Sequence, residues 1–238
     1  KEVNGIKVAI LGFAYGFNGI EATLTDEEYN NHLYDLNMQR VKQLIQRAEE
    51  IADFTIVLPQ MGEEYHLHPR QGQIDTYHQM IEWGADVIFG GHPHVIEPTE
   101  TITKDGEKKF IIYSMGNLLS NQRVETLENI WTERGVIMDI TIEKENGKTT
   151  LTSVKAHPTW VSRVEIDRSF MEGPAYDYQV FLAENYMSGG PLEHTVDKET
   201  LERIQSAYTE VNELLSTQKG ASYLLGSAFY DFKLSYTF

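Results

Sequence analysis

The stretch from Lys7 to Ala14, KVAILGFA, is apolar at nearly every position and ends at a glycine-containing turn, the pattern of a strand covered on both faces. A strand of that kind needs helices or a second sheet above and below it, and the residues that follow supply the helical signals. Thr25 and Glu28 have the spacing of a capping box, and Val41, Leu44, Ile45, Ala48 and Ile51 recur at helical period before the next apolar run, Phe54 to Leu58. Ile74, Tyr77 and Ile81 make another helical stripe closed by Gly84, and Asp86 to Gly91, DVIFGG, is again strand-like. Strand and helix alternating in this way specify an α/β fold built on a mostly parallel sheet.

After Gly91 the grammar changes. Phe110–Tyr113, Gly135–Glu143 and Thr149–Val161 follow one another without helical pattern between them, and Glu145-Asn146-Gly147-Lys148 is a hairpin turn. These read as antiparallel strands that extend or face the first sheet. Beyond about Ile166 the strand pattern is read as stopping. Asp197 caps an amphipathic helix with Leu201, Ile204, Tyr208, Val211 and Leu215 on one side, and Ala221 to Phe238 is an aromatic segment expected to pack on another surface. Residues 1–166 are therefore expected to form the main unit and 167–238 an accessory helical region.

Composition narrows the partners. Against 36 Asp and Glu stand 20 Lys and Arg, a formal charge of -16, which repels nucleic acid and anionic lipid. With no cysteine, disulfides and thiolate metal sites are excluded. No apolar run reaches the roughly 20 residues a membrane span needs, so an export or anchoring segment would have to lie outside this sequence.

The residues able to carry chemistry lie directly after the apolar runs, where strands of a parallel sheet end and ligands bind. In Gly90–Val95, GGHPHV, Pro93 is expected to hold His92 extended, so that His92 and His94 project to one side and reach a single metal or anion. Leu58–Tyr65, LPQMGEEY, offers Gln60, Glu63 and Glu64, although Glu63 and Glu64 also suit a solvated turn. Tyr113–Leu119, YSMGNLL, offers Asn117, which also suits a tight turn on structural grounds alone. His66 and His68 fall in a loop; His32, His78 and His157 read as ordinary helix or strand residues.

Together these segments resemble the poly-γ-glutamate capsule biosynthesis (CapA) family, whose pattern is approximately HWGxEY, then Pro and Gln, GADxxxGxHPHV and YSxGNF. Here they stand as QMGEEY at Gln60, Pro69 with Gln73, GADVIFGGHPHV from Gly84 and YSMGNLL from Tyr113, and the likeness runs from about Gly5 to Val161. That family is similar to calcineurin-like metallophosphoesterases, so the resemblance implies one half, the C-terminal half, of an αββα sandwich. It also implies an N-terminal half as partner and divalent ions such as Mn, Zn or Fe. By position His92, His94 and Gln60 fall on the metal side, with Glu63, Glu64 and Asn117 toward substrate. Gln60 departs from the pattern, which has histidine there and so a stronger donor; Leu118 replaces a phenylalanine. The further implications are work on poly-γ-glutamate beside membrane synthase subunits and a location on the outer side of a bacterial cytoplasmic membrane. Hydrolysis of a phosphoester by paired ions and a non-catalytic role in binding polymer or synthase are the competing functions.

Overall fold

A computed structural model of the chain describes residues 1–168 and 173–216. Its strands are β1 (Glu2–Val3), β2 (Ile6–Ala14), β3 (Phe54–Gln60), β4 (Val87–Phe89), β5 (Thr99–Lys104), β6 (Glu107–Ile112), β7 (Arg134–Glu145), β8 (Lys148–Ile166) and β9 (Ala175–Leu182). Its helices are α1 (Asp26–His32), α2 (Met38–Ile51), α3 (Gln71–Trp83), α4 (Val124–Leu127) and α5 (Lys198–Ser216). The aromatic segment from Ala221 to Phe238 lies outside the described residues.

The capping box forms as its spacing requires: Glu28 N–H donates to Thr25 Oγ1, and the Glu28 carboxylate accepts from Thr25 N–H. It starts only the short α1. The longer α2 has its own cap, Asn37, whose Oδ1 accepts from the N–H groups of Gln39 and Arg40, so the single expected helix is two.

A six-stranded sheet in the order β1-β2-β3-β4-β6-β5 forms the centre. β2, β3, β4 and β6 are mutually parallel, while β1 and β5 run antiparallel at the edges. One face carries α2 and α3: Val41, Ile45, Tyr77, Met80 and Ile81 bury against Phe13, Val57, Ile88 and Ile111. At roughly 25 cal/mol per Å2 of apolar surface removed from water, this burial is what fixes the helices to the sheet. His78 adds an ion pair, its Nε2 lying 2.9 Å from Glu100 Oε2 on β5.

The opposite face meets a three-stranded antiparallel sheet, β7-β8-β9. The Asn146-Gly147 turn joins β7 to β8 with both residues left-handed, φ 53 and 80, as a tight hairpin demands. Strand pairing does not stop at Ile166. β9 pairs antiparallel with β8 from Ile166↔Ala175 to Thr159↔Leu182, and this corrects the reading of that stretch as strand-free. Its alternation, with Tyr176 and Tyr178 a strand period apart, was present in the sequence. Helix α5, capped by Asp197 Oδ1 accepting from Thr200 N–H at 2.9 Å, sets Val211 and Leu215 into the same cluster as Phe54, Val87, Ile96 and Ile112. Its Ile204 and Ala207 pack with Trp160 and Tyr186.

The two sheets do not cover one another fully. Lys144 on β7 pairs with Asp53 at the start of β3, and Lys148 on β8 with Glu107 at the start of β6. β7 therefore lies over the β3 side of the central sheet, and the outer edges of β2 and β7 open in the same direction. β1 pairs with β2 only as far as Ile6 and Lys7. Ile10 and Leu58 share the strand parity of Val8 and Ile56, which face the second sheet, yet they are 58% and 37% exposed. No helix among the described residues is long and apolar enough to cross a membrane.

Candidate functional site

The strand ends converge as the topology requires. Gly91 N–H donates to Pro59 O and Gly91 O accepts from Met61 N–H, which joins the ends of β3 and β4. Gly90 N–H donates to Ile112 O, and Met115 N–H donates to Gly90 O, which joins β4 to β6. Tyr15 N–H donates to Gln60 O at the end of β2. These bonds leave Gln60, His92, His94 and Asn117 along one rim at the carboxyl edge of the sheet.

Gly90 is obligatory in this arrangement. A Cβ there would lie 2.0 Å from Tyr113 O and 2.7 Å from Tyr77 Oη, so no side chain fits between β4 and β6.

The histidine loop differs from its expected shape. His92 is not extended; its φ is 101, and His94 has φ 60, so both residues flanking Pro93 take left-handed backbone that side chains disfavour. The loop is held in this shape by its neighbours, with Tyr65 N–H in the loop after β3 donating to Pro93 O at 2.8 Å and Gly91 bonded to Pro59 and Met61. Tyr65 is itself left-handed, φ 66. The imidazoles nonetheless share one side, their ring centroids 5.9 Å apart.

Each ring has a defined setting. His94 Nδ1 lies 2.9 Å from Asn117 Oδ1. Asn117 Nδ2 faces Thr132 O at 2.8 Å, His94 O at 3.2 Å and Gln122 Oε1 at 3.3 Å, all acceptors, which fixes the amide orientation. The oxygen of Asn117 must therefore receive a proton from His94 Nδ1, and Nε2 of the neutral ring keeps its lone pair for a ligand. His92 meets the edge of Tyr15, with centroids 4.5 Å apart, and its Nε2 is 3.8 Å from Glu64 Oε1. Burial holds the His92 ring below the usual imidazole range against the opposing charge of Glu64, which favours the neutral form a metal or proton acceptor requires.

The other residues divide. Gln60 lies with its amide oxygen 3.2 Å from where a Cβ of Gly91 would stand, so it borders the histidine loop. Glu64 faces His92. Glu63 turns away: it accepts from Arg70 Nε and lies 3.5 Å from His66 Nε2, and the Arg70 hydrogen bond holds its carboxyl below the usual range. Leu118, beside Asn117, is exposed.

Sequence reasoning alone left the supports unassigned. Tyr15 and Tyr65 flank the imidazoles, and Gln122 Nε2 donates to Tyr65 Oη at 3.3 Å. Behind the loop, buried Gln73 donates from Nε2 to Glu97 Oε2 at 2.7 Å and Tyr113 O at 3.1 Å. Tyr65 and Gln73 stood inside the motif segments, whereas nothing in the sequence marked Gln122 or Glu97.

By themselves these residues do not fit a two-ion centre. Two imidazoles and a neutral amide, with only the Glu64 carboxylate 3.8 Å from His92 Nε2, bring too little negative charge to offset two divalent cations, and among the described residues no group of three or more His, Asp or Glu side chains is placed to hold a metal ion. What they offer is an imidazole pair, with His94 held through Nδ1, bordered by the Gln60 amide.

Helices, a six-stranded mixed sheet and a second sheet open along one side make a mixed α/β fold consistent with half of a metallophosphoesterase-like sandwich, with a histidine-bearing rim at the strand ends. The family model described as bacterial capsule synthesis protein PGA_cap matches residues 1–122, and the chain belongs to that family. Over 125 residues it is 31% identical to the capsule biosynthesis protein CapA of Bacillus anthracis, covering 51% of this chain and 29% of that protein. Over 123 residues it is 31% identical to the PGA biosynthesis protein CapA of Bacillus subtilis (strain 168), covering 51% of this chain and 30% of that one. The matched stretch thus spans less than a third of either relative.

Proposed function

We propose that the chain acts in the synthesis or export of an anionic capsule polymer, poly-γ-glutamate, and that its rim is one wall of a metallophosphoesterase-like site. The observation that carries this reading is the convergence of His92, His94 and Gln60 on the side where the sandwich stands open. Ile10 and Leu58 lie bare on the inner face, and β2 from Ala9 to Phe13 has no strand on its outer edge among the described residues. Further strands docked there, from an N-terminal half of the same domain, would bring carboxylates toward the imidazoles, and a divalent ion such as Mn, Zn or Fe would then have both donor types. The names of the relatives support the capsule assignment; in this reading the domain works on the outer side of a bacterial cytoplasmic membrane, held by an anchor and beside synthase subunits.

Metal retention by the full-length protein after dialysis tests this. Stoichiometric metal that is lost in a His92→Ala, His94→Ala variant is the expected result. A full-length protein that retains none overturns the metal site and leaves the second reading, a non-catalytic wall that binds polymer or synthase. Gln60 in place of an imidazole favours that second reading, and calorimetry with poly-γ-glutamate measures it directly.

A further inference from the structure

Away from the rim, β5 forms one side of the central sheet. Tyr113 N–H donates to Pro98 O, which makes Pro98 and Tyr113 a hydrogen-bonded pair. In the antiparallel register that follows, Glu100, Ile102 and Lys104 turn their backbone groups toward β6. Thr99, Thr101 and Thr103 turn theirs outward, and among the described residues no strand pairs with β5 on that side. An edge without proline or bulge is a template for another strand. Its two faces differ. Glu100 meets His78 Nε2 at 2.9 Å and Lys104 donates to the carbonyls of Ile81 and Glu82, so these side chains lie over α3. On the opposite face the buried Thr99 donates from Oγ1 to Leu215 O at 3.5 Å, in the last turn of α5. Helix α5 therefore delivers the chain beside β5.

The sequence after α5, outside the described residues, contains a strand-like run: Tyr230, Phe232, Leu234, Tyr236 and Phe238 alternate with Asp231, Lys233, Ser235 and Thr237. Residues 217–229 reach roughly 40 Å when extended, about twice the length of β5, so they can set this run along the edge in either direction. We propose that residues 230–238 add to the outer edge of β5 as a further strand of the central sheet. With Asp231 and Lys233 on the face of Glu100 and Lys104, the run carries its aromatic side chains on the face of Thr99 and Leu215, where α5 covers them. The outward N–H groups of Thr101 and Thr103 gain carbonyl partners, and the chain beyond α5 becomes part of the central fold. The other long open edge, that of β2, lies at the far side of the sheet from the end of α5.

Amide hydrogen exchange at Thr101 and Thr103 in the full-length protein tests this, in wild type and in a Phe232→Pro, Leu234→Pro variant whose prolines remove donors from the added strand. The wild type is expected to exchange both amides at least about a hundredfold more slowly than the variant, at rates independent of protein concentration. Fast exchange at both amides in the wild type overturns the proposal, and so does slow exchange that the variant retains. Protection that rises with concentration would seat a second copy on the edge, and protection lost only at residues 9–13 would seat the run on β2; either result overturns it. Should the proline variant not fold, a benzophenone photo-cross-linker in place of the exposed Thr103 decides the matter in the otherwise unaltered protein. Adducts within residues 230–238 of the same chain are expected, and adducts only elsewhere or in a second copy contradict the proposal.

Discussion

The Nδ1 of His94 and the Oδ1 of Asn117 lie 2.9 Å apart, and the bond between them has only one possible direction. Asn117 Nδ2 shares its N–H groups among Thr132 O, His94 O and Gln122 Oε1, so its oxygen is left to accept. Replacing Asn117 with Leu, similar in size, removes every one of these bonds and strands the carbonyls. The expected loss is about 1–3 kcal/mol of stability, read by urea denaturation. An unchanged midpoint would show the asparagine to be no more than a turn residue.

Glu97 is fully buried with a side-chain hydrogen bond from Gln73 to one oxygen, while Glu97 Oε1 and Gln73 Oε1 have no partner among the described residues. Burial pushes its carboxyl up to about 7, against 4.5 in the ordinary case. The native state therefore binds this proton more tightly than the unfolded chain, and stability falls as pH rises from about 4.5 through about 7. Glu97→Gln abolishes that component. Denaturation at pH 5 and pH 8 is expected to show the wild type losing up to roughly 3 kcal/mol more than the variant between the two. Parallel pH profiles would contradict the assignment.

At Gly90 the smallest side chain would drive into Tyr113 O. Gly90→Ala is expected to push β4 from β6, destabilise the protein by more than about 3 kcal/mol and lower its yield of folded material. Thermal melting checks this; a variant within about 1 kcal/mol of wild type would mean the strands part more easily than their bonds suggest.

Helix α5 is joined to the centre by more than apolar contact. Arg134, fully buried on β7, donates to Glu210 at 2.9 Å, and its own carbonyl accepts from Asn117 N–H. Leu215→Ala empties a site in the central core and is expected to cost about 2–5 kcal/mol in the main unfolding transition. If α5 were an appendage melting by itself, that transition would not move.

The alternation of strands and helices, the hairpin at Asn146-Gly147 and the gathering of loops at one sheet edge were legible because period, turn chemistry and strand order are written locally. Strand β9 was missed although Tyr176 and Tyr178 alternate, since its pairing with β8 is a long-range event that short polar-flanked runs announce weakly. Asn37 was missed because the capping box at Thr25 accounts for a helix start without it. The backbone of His92 went against the bias of the following proline, in a loop tied to Tyr65 and to the end of β3, contacts that are not written locally. The polarity set by Asn117 depends on which acceptors surround one amide, information carried by no motif.

Long-range proton–nitrogen correlation spectra of the imidazoles in the full-length protein read the role of Asn117 at His94 directly. Neutral His94 is expected to carry its proton on Nδ1, and its Nε2 resonance to move on addition of zinc, while Asn117→Leu scrambles the tautomer. A proton found on Nε2 of His94, or a nitrogen indifferent to the metal, would contradict the site as described.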